Sequence, residues 1–174
     1  FLTASGVSTD SRSIADGQLF FALRGTNFNG SVDAEQAISK GAMLAVIDDP
    51  AYTIPGKTIL VEDTLVALQE LAHYHRMQFE IPVIAITGSN GKPTSTELTQ
   101  RVLSGKYNTL YTYGNLNNHI GVPLTLLRIS NNTEMAVIEM GANHQQEIAS
   151  LCRIAAPTHG LICSIGKAHI EGFG

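Results

Sequence analysis

The sequence contains little cysteine, no cluster of basic residues and no long hydrophobic stretch. Its two cysteines, Cys152 and Cys163, have neither the paired spacing of a zinc site nor the density of a disulfide-bonded secreted domain. We therefore expect reduced thiols in the core. The longest apolar stretches, such as residues 42–47 and 81–86, are far shorter than the roughly 20 residues that span a bilayer. These absences argue against a disulfide scaffold, a zinc module and a membrane span.

Charge is also scarce, because only 15% of the 174 residues are charged and the formal net charge is -4. A surface that binds nucleic acid normally carries clustered lysine and arginine, so this class is disfavoured. With 44% hydrophobic residues, the chain can bury the core of one domain or of two small ones. No secretory signal is readable, and we expect a cytoplasmic protein. The start at Phe1 and the abrupt end at Gly174 predict a fragment of a longer protein.

Residues 1–80 are predicted to form a small α/β domain. Strand-like runs occupy residues 19–23, 42–47 and 58–61, separated by turns that carry glycine and asparagine. A helix is predicted over residues 32–40, with Gly41 as its C-terminal cap. Asp63 or Thr64 is predicted to cap a second helix, which Pro82 is expected to end.

From Val83 the pattern alternates regularly between strands and helices. Strands are predicted over residues 83–87, 108–112, 136–140 and 160–165, and helices from about 94, near 123–128 and over 145–155. Strict alternation predicts a parallel sheet with helices on its faces. The sequence thus predicts a second domain over residues 81–174.

A short glycine-containing loop follows the first of these strands and opens a helix. It consists of Gly88, Ser89, Asn90, Gly91 and Lys92. Glycines let backbone N–H groups turn toward an anion, and a lysine supplies charge for phosphate groups. The spacing is shorter than that of the standard P-loop. The loop is therefore either a nucleotide phosphate site, which its strand-to-helix position favours, or a structural turn with a solvated lysine.

Pro93 stands where a serine or threonine hydroxyl usually holds magnesium in such loops. Proline is tolerated in the first helical turn but removes a backbone donor and the hydroxyl. Thr94 and Ser95 are then the nearby candidates for holding a metal ion. Metal and ATP binding could be weakened or lost.

Three polar groups are expected at the same edge of the sheet. Glu139 ends a buried strand, where it is either a magnesium ligand or a carboxylate paired with a neighbouring cation. His169 and Glu171 follow the last strand, where the imidazole has a metal or phosphate role or a structural one. The segment 114–119 carries asparagines that either cap the next helix or bind a polar substrate.

Near the start, a short loop brings together hydroxyls, an acid and a guanidinium: Thr9, Asp10, Ser11 and Arg12. Such a set can bind a diphosphate or a sugar nucleotide. By chemistry alone, an ordinary polar loop is the simpler reading.

Five segments together resemble the Mur ligases of peptidoglycan synthesis. They are STDSR (8–12), ITGSNGK (86–92), GNLNNHIGVP (114–123), IEMG (138–141) and AHIEGFG (168–174). The last is similar to the members that add D-alanyl-D-alanine to UDP-N-acetylmuramoyl tripeptide. The resemblance covers essentially the whole chain. It implies an α/β fold with a small N-terminal substrate domain, followed by the first part of a P-loop-type parallel-sheet ATP-binding domain.

The resemblance also implies roles for individual residues. The UDP end of the substrate would contact Thr9, Asp10, Ser11, Arg12 and Phe28, and the substrate cleft would include Asn115 and Asn118. ATP would bind residues 88–92 together with Thr94, Ser95 and Asn117. Lys92, Glu139 and His169 would be catalytic, with Glu139, His169 and Thr94 holding magnesium.

The implied reaction is an ATP-dependent ligation through an acyl phosphate, with Mg²⁺ as cofactor. Its substrates would be UDP-N-acetylmuramoyl tripeptide and D-alanyl-D-alanine. Three residues depart from the family pattern: Pro93 replaces threonine, Ser164 replaces asparagine and Gln146 replaces glycine. The rest of the ATP-binding domain, with a modified catalytic lysine, and a C-terminal domain would follow Gly174.

Two other interpretations stay open at this point. One is a sister Mur ligase or a ligase similar to folylpolyglutamate synthase, although the latter normally lacks the loop at residues 9–12. The other is a non-catalytic module that binds a UDP-sugar and has lost ATP use through Pro93.

Overall fold

The computed structural model describes residues 3–166. The chain divides into two compact units, the first ending at Leu68 and the second beginning at Gln69. Within the described part, no helix combines the length and the apolar character needed to cross a membrane. The predicted domain limits, 1–80 and 81–174, stay a prediction.

The first unit is built on a four-stranded parallel sheet with the strand order β1-β2-β5-β6. Strand β2 is central and fully buried, as the apolar run of the sequence predicts. A two-stranded antiparallel hairpin, β3–β4, follows β2 and was not predicted. The elements are β1 (Val7–Ser8), β2 (Leu19–Phe21), β3 (Arg24–Gly25), β4 (Phe28–Asn29), α1 (Ala34–Ser39), β5 (Leu44–Ile47) and β6 (Thr58–Leu60), with 3-10 helices at Gly30–Asp33 and Pro50–Tyr52.

The predicted helix over residues 32–40 is in fact a 3-10 turn followed by α1. The turn forms because the Asn29 side chain accepts a hydrogen bond from the Ser31 N–H at 3.1 Å. Helix α1 then packs Ala34 and Ala37 against Phe20 and neighbouring small residues in a shared core. Gly41, with φ +108°, ends the helix as predicted.

Helix α2 (Thr64–Arg76) runs through the point where the two units divide. Asp63 caps it, because its Oδ1 accepts hydrogen bonds from the N–H groups of Leu65 and Val66, at 2.8 and 2.9 Å. The prediction that Pro82 ends this helix is wrong. The helix ends at Arg76, whose guanidinium donates to the carbonyls of Phe79 and Ile81 and so holds a folded-back segment against the helix end.

The second unit contains a four-stranded parallel sheet in the order β10-β7-β9-β8, with helices packed on it, which confirms the predicted fold class. Its two inner strands are mostly buried apolar residues. The elements are β7 (Val83–Thr87), α3 (Lys92–Leu103), β8 (Thr109–Tyr111), α4 (Gly121–Leu126), β9 (Met135–Glu139), α5 (Glu147–Ala155) and β10 (His159–Ile162).

The order of these strands places a switch point beside β7. After β7 the chain crosses to β8, on the far side of β9, whereas β10 later joins the opposite side of β7. In open parallel sheets, ligands bind where the carboxyl ends of strands diverge in this way. The loops that follow β7, β8, β9 and β10 therefore share the edge at which a site is expected.

Candidate active site

The loop between β7 and α3 has the backbone shape of an anion site. Gly88 has φ +141° and Gly91 has φ +82°, and Gly91 occupies the N-terminal cap of α3. A side chain at residue 88 would also collide with the backbone of Ser164, which lies 2.9 Å from the ideal Cβ position. Gly88 is therefore required by geometry, and Gly91 avoids the strain that another residue would have at its φ. Lys92 begins the helix, and its Nζ donates to the Gly88 carbonyl.

Glu139 is the buried acid of the site. The residue is 3% exposed at the end of β9. Its Oε1 accepts from Asn117 Nδ2 at 2.8 Å, and its Oε2 accepts from Thr96 Oγ1 at 3.3 Å. Among the ion pairs of residues 3–166, none involves this carboxylate. Among the described residues the carboxylate contacts neutral donors alone, and a buried carboxylate in such surroundings is well suited to a cation.

A cavity of about 230 Å³ lies above this acid, between the start of α3 and the end of β8. Its lining includes Glu139, Thr96, Pro93 and Tyr113. The proline thus stands on the wall of the cavity that contains the acid. Thr94, the predicted metal ligand, is exposed, and Thr96 is the hydroxyl that reaches Glu139.

Thr96 was missed by the sequence analysis, although a signal was present. It lies four residues after Lys92, about one helical turn further along α3, so it faces the same side as the lysine. Thr112 was missed as well, and its Oγ1 accepts from the backbone N–H of Glu139 at 2.9 Å. Helical spacing from the loop lysine would have identified Thr96. The position of Thr112 beside Glu139 can be identified only when the pairing of β8 with β9 is known.

The oxygen set of this cavity fits magnesium better than a transition metal. No group of three His, Cys, Asp or Glu side chains converges anywhere in the part of the chain that the structure describes. Magnesium commonly takes one or two carboxylates from the protein and the rest of its ligands from water and phosphate oxygens. One buried carboxylate with threonine hydroxyls beside it meets that requirement.

The three asparagines after β8 are placed differently from one another. Asn118 caps α4, because its Oδ1 accepts from the N–H groups of Ile120 and Gly121 at 3.1 and 2.9 Å. Asn117 contacts Glu139, as described above, while Asn115 is exposed. Their roles toward a substrate or nucleotide stay predictions. His169 and Glu171 lie outside the described residues.

In the first unit, the loop at residues 9–12 follows β1 at the carboxyl end of the parallel sheet. The Asp10 carboxylate accepts from Arg12 Nε and Nη2, both at 2.9 Å. Ser11 is buried, and its carbonyl accepts from Lys40 Nζ at 3.1 Å. Lys40 thus adds an ammonium group to this loop beside the Asp10–Arg12 ion pair.

The Asp10–Arg12 pair predicts a low pKa for the Asp10 carboxyl. The side-chain hydrogen bonds from Arg12 lower the pKa of Asp10 from 3.8 to about 2. Because the folded state favours the ionised form, the pair contributes to stability above pH 3.8, and this contribution is lost as the pH falls toward 2. We expect an NMR titration to give a pKa near 2 for Asp10, returning toward 3.8 in Arg12→Gln. Arg101→Gln, which removes the ion pair with Glu97 on α3 of the second unit, should leave the pKa of Asp10 unchanged.

Phe28, the predicted aromatic contact, lies on the β3–β4 hairpin of the same unit. Its side chain is 56% exposed and is therefore available for stacking. The hairpin is held to the end of β5 by the ion pair between Arg24 Nη2 and Asp48 Oδ1, at 2.9 Å. This contact positions the aromatic ring on a fixed support.

Comparison with known families identifies the architecture. The Mur ligase middle domain matches residues 86–174, slightly more than half of the chain. The chain belongs to the Mur ligase family. A second model, the catalytic domain of the Mur ligase family, matches residues 3–76. The resemblance drawn from the five sequence segments is therefore confirmed.

Individual Mur ligases are similar over nearly the whole chain. UDP-N-acetylmuramoyl-tripeptide–D-alanyl-D-alanine ligase of Escherichia coli K12 is 44% identical over 99% of the chain and 38% of that enzyme. The enzyme of the same name from Synechocystis is 46% identical over 95% of the chain and 37% of its own length. The chain thus spans a little over a third of the length of the curated relatives that it matches.

Solved structures of Mur ligases show the same fold. MurF from Acinetobacter baumannii superposes with a TM-score of 0.89 at 39% identity, over 98% of this chain and 37% of that one. A MurF ligase from Thermotoga maritima in complex with ADP gives a TM-score of 0.86 at 31% identity, over 97% of this chain and 39% of that one.

Gln146, where the family resemblance implies glycine, has an unusual backbone conformation. Its φ is +67° at the N-terminal cap of α5. This is the left-handed region that glycine adopts without penalty, and another residue there costs on the order of 1 kcal/mol. The implied glycine would therefore carry no backbone strain at this position.

Proposed function

We propose that the full-length protein joins D-alanyl-D-alanine to UDP-N-acetylmuramoyl tripeptide at the expense of ATP. The observation that carries the proposal is the buried Glu139 carboxylate, which lies on the strand next to the one that leads into the phosphate loop. The similar enzyme of Escherichia coli is named UDP-N-acetylmuramoyl-tripeptide–D-alanyl-D-alanine ligase, which supports the same activity. Because ATP and UDP-linked precursors are cytoplasmic metabolites, the reaction is proposed to take place in the cytoplasm.

The phosphate loop is proposed to bind the nucleotide. Backbone N–H groups at the start of α3, together with the helix dipole, attract the phosphate oxygens. Lys92 exchanges its contact with the Gly88 carbonyl for the outer phosphates, where its charge offsets the charge of the transferring group. A MurF ligase from Thermotoga maritima has been solved in complex with ADP, which supports the proposal that this protein binds an adenine nucleotide.

Magnesium is proposed to be held at Glu139, with the Thr96 hydroxyl beside it. The ion would neutralise developing charge on the phosphate oxygens when it is bound. Asn117 holds one carboxylate oxygen at 2.8 Å and so fixes the orientation of the acid toward the cavity. The N-terminal unit is proposed to bind the UDP end through residues 9–12 and Phe28.

The chemistry requires activation, because a carboxylate is a poor electrophile at neutral pH. The terminal carboxylate of the tripeptide attacks the γ-phosphorus of ATP, so that an acyl phosphate forms and ADP leaves. The amine of D-alanyl-D-alanine then attacks the acyl carbon, and the tetrahedral intermediate expels phosphate as the peptide bond forms. Lys92 and the N–H groups at the start of α3 stabilise the charge in the first step.

The test is ATP-dependent phosphate release by the full-length protein supplied with both substrates. We expect release in the wild type that depends on the tripeptide and on D-alanyl-D-alanine. In Pro93→Thr we expect the magnesium concentration for half-maximal rate to fall several-fold, because the new hydroxyl enters the cavity wall above Glu139.

Three results would change the assignment. If neither form releases phosphate while both bind the UDP substrate, the protein is a binding module and the proposed enzyme activity is wrong. If only the threonine form is active, Pro93 is an inactivating change. If folate and glutamate, or the substrates of a sister Mur ligase, support faster release, the proposed substrate pair is wrong.

A further inference from the structure

The phosphate loop is joined to the segment that follows β10 by an extension of the sheet. Strands β7 and β10 pair in parallel up to Thr87 and Ile162. The pairing continues past the end of both strands, because the Cys163 N–H donates to the Thr87 carbonyl at 2.8 Å. One further bond runs in the other direction, from the Ser89 N–H to the Ser164 carbonyl at 3.0 Å. The loop is thus continuous with the sheet on one side.

Two serine hydroxyls complete this connection. Each is hydrogen-bonded to both the N–H and the carbonyl of one residue in the other segment. Ser164 Oγ accepts from the Asn90 N–H at 2.9 Å and donates to the Asn90 carbonyl at 3.0 Å. Ser89 Oγ accepts from the Gly166 N–H and donates to the Gly166 carbonyl, both at 3.0 Å. The arrangement is reciprocal, and both hydroxyls act as donor and acceptor at once.

We propose that Ser164 is a positioning residue for the nucleotide, and that with Ser89 it forms a latch that fixes the phosphate loop before ATP binds. The inference rests on the proposed function, since it deepens the role of the same loop. Ser164 contacts the loop backbone and not the reacting atoms. Its effect is to set the direction in which the loop presents its donors.

The latch determines which backbone N–H groups of the loop can bind the anion, because some of them are bonded to the segment after β10. The N–H groups of Ser89 and Asn90 are committed to the segment after β10. Pro93 has no N–H to offer. At the start of α3 the N–H groups of Gly91, Lys92 and Thr94 can face the anion, and their directions depend on how firmly the Asn90 backbone is held. A loop fixed in its binding shape loses less conformational entropy when the ligand binds.

At Gly88 there is no room for a side chain between the phosphate loop and Ser164. The ideal Cβ position of Gly88 lies 2.9 Å from both the N and the O of Ser164. The two backbones therefore lie side by side at Gly88 and are hydrogen-bonded at Ser89 and Asn90. Removal of the Ser164 hydroxyl would release the Asn90 peptide without opening that packing.

The test compares Ser164→Ala, Ser164→Thr and the wild type in the full-length protein. We expect Ser164→Ala to weaken ADP binding about fivefold to tenfold in calorimetry, the effect of one or two lost hydrogen bonds. The KM for ATP should rise by the same factor, with kcat and the KM for D-alanyl-D-alanine within about twofold. Ser164→Thr keeps the hydroxyl and should restore the affinity. Ser130→Ala, in a distant turn, is the matched control.

A second measurement does not depend on nucleotide binding. Hydrogen exchange of the Asn90 amide should be about tenfold faster in Ser164→Ala, because its acceptor is lost. If the wild type binds no nucleotide, the proposed function fails, and this exchange rate still decides the latch. If Ser164→Ala changes neither the exchange nor the affinity, the latch is wrong. If it lowers kcat and raises every KM alike, the hydroxyl is only structural and the inference is overturned.

Discussion

Replacing Glu139 by glutamine in the full-length protein is expected to lower ATP-dependent phosphate release at least about a hundredfold. The substitution keeps the shape of the side chain but removes the negative charge that is proposed to hold magnesium. The stability of the metal-free protein should stay equal or rise, because a buried carboxylate without a cationic partner among residues 3–166 is costly. Steady-state kinetics and thermal unfolding with and without magnesium measure the two effects.

Glu134→Gln is the control for this prediction. Glu134 is exposed just before β9, and its carboxylate accepts from the Asn108 N–H at 2.7 Å, away from the cavity. We expect its activity to be near that of the wild type. If Glu139→Gln keeps more than a tenth of the wild-type rate, or if magnesium still raises its melting temperature as in the wild type, Glu139 does not hold the metal.

The second large effect is expected for Lys92→Met. The lysine is proposed to be the point charge that contacts the outer phosphates, and methionine keeps much of its length without the charge. We expect kcat/KM for ATP to fall about a hundredfold to a thousandfold, as when a charge-stabilising donor is removed from an active site. Helix α3 should persist, because methionine is a good helix former.

The matched variant is Lys106→Met. Lys106 is exposed beyond the end of α3, with its Nζ 5.2 Å from the centre of the Tyr107 ring. It should retain the kinetics of the wild type. Equal losses in the two lysine variants, or an unchanged kcat/KM for ATP in Lys92→Met, would count against a phosphate role for Lys92.

The parts of the fold that sequence predicted well are those with a strong local signal. The run Val83–Thr87 is β-branched and apolar, and the structure gives a strand with the same limits. Asp63 was predicted as a possible cap because its short side chain can reach the first free N–H groups of a helix, and it does so. Local patterns of this kind are fixed by steric preference and hydrogen bonding within a few residues.

Other features depend on contacts between distant segments and could not be predicted in the same way. The end of α2 at Arg76 depends on guanidinium bonds to carbonyls that fold back over it, including that of Ala156, 80 residues away. The place of Thr112 beside Glu139 depends on the register of β8 against β9. The proline at residue 93 was noticed in the sequence, but its position on the cavity wall was not.

The bond between Asn90 and Ser164 joins residues 74 positions apart, which has a consequence for folding. Closing so long a loop has a high entropic cost, so the contact is expected to form late. Until β10 has paired with β7, the loop lacks the partner that sets its shape, and a nascent chain that ends before it should gain no stability from nucleotide. ATP could then stabilise this unit only after β10 has paired with β7.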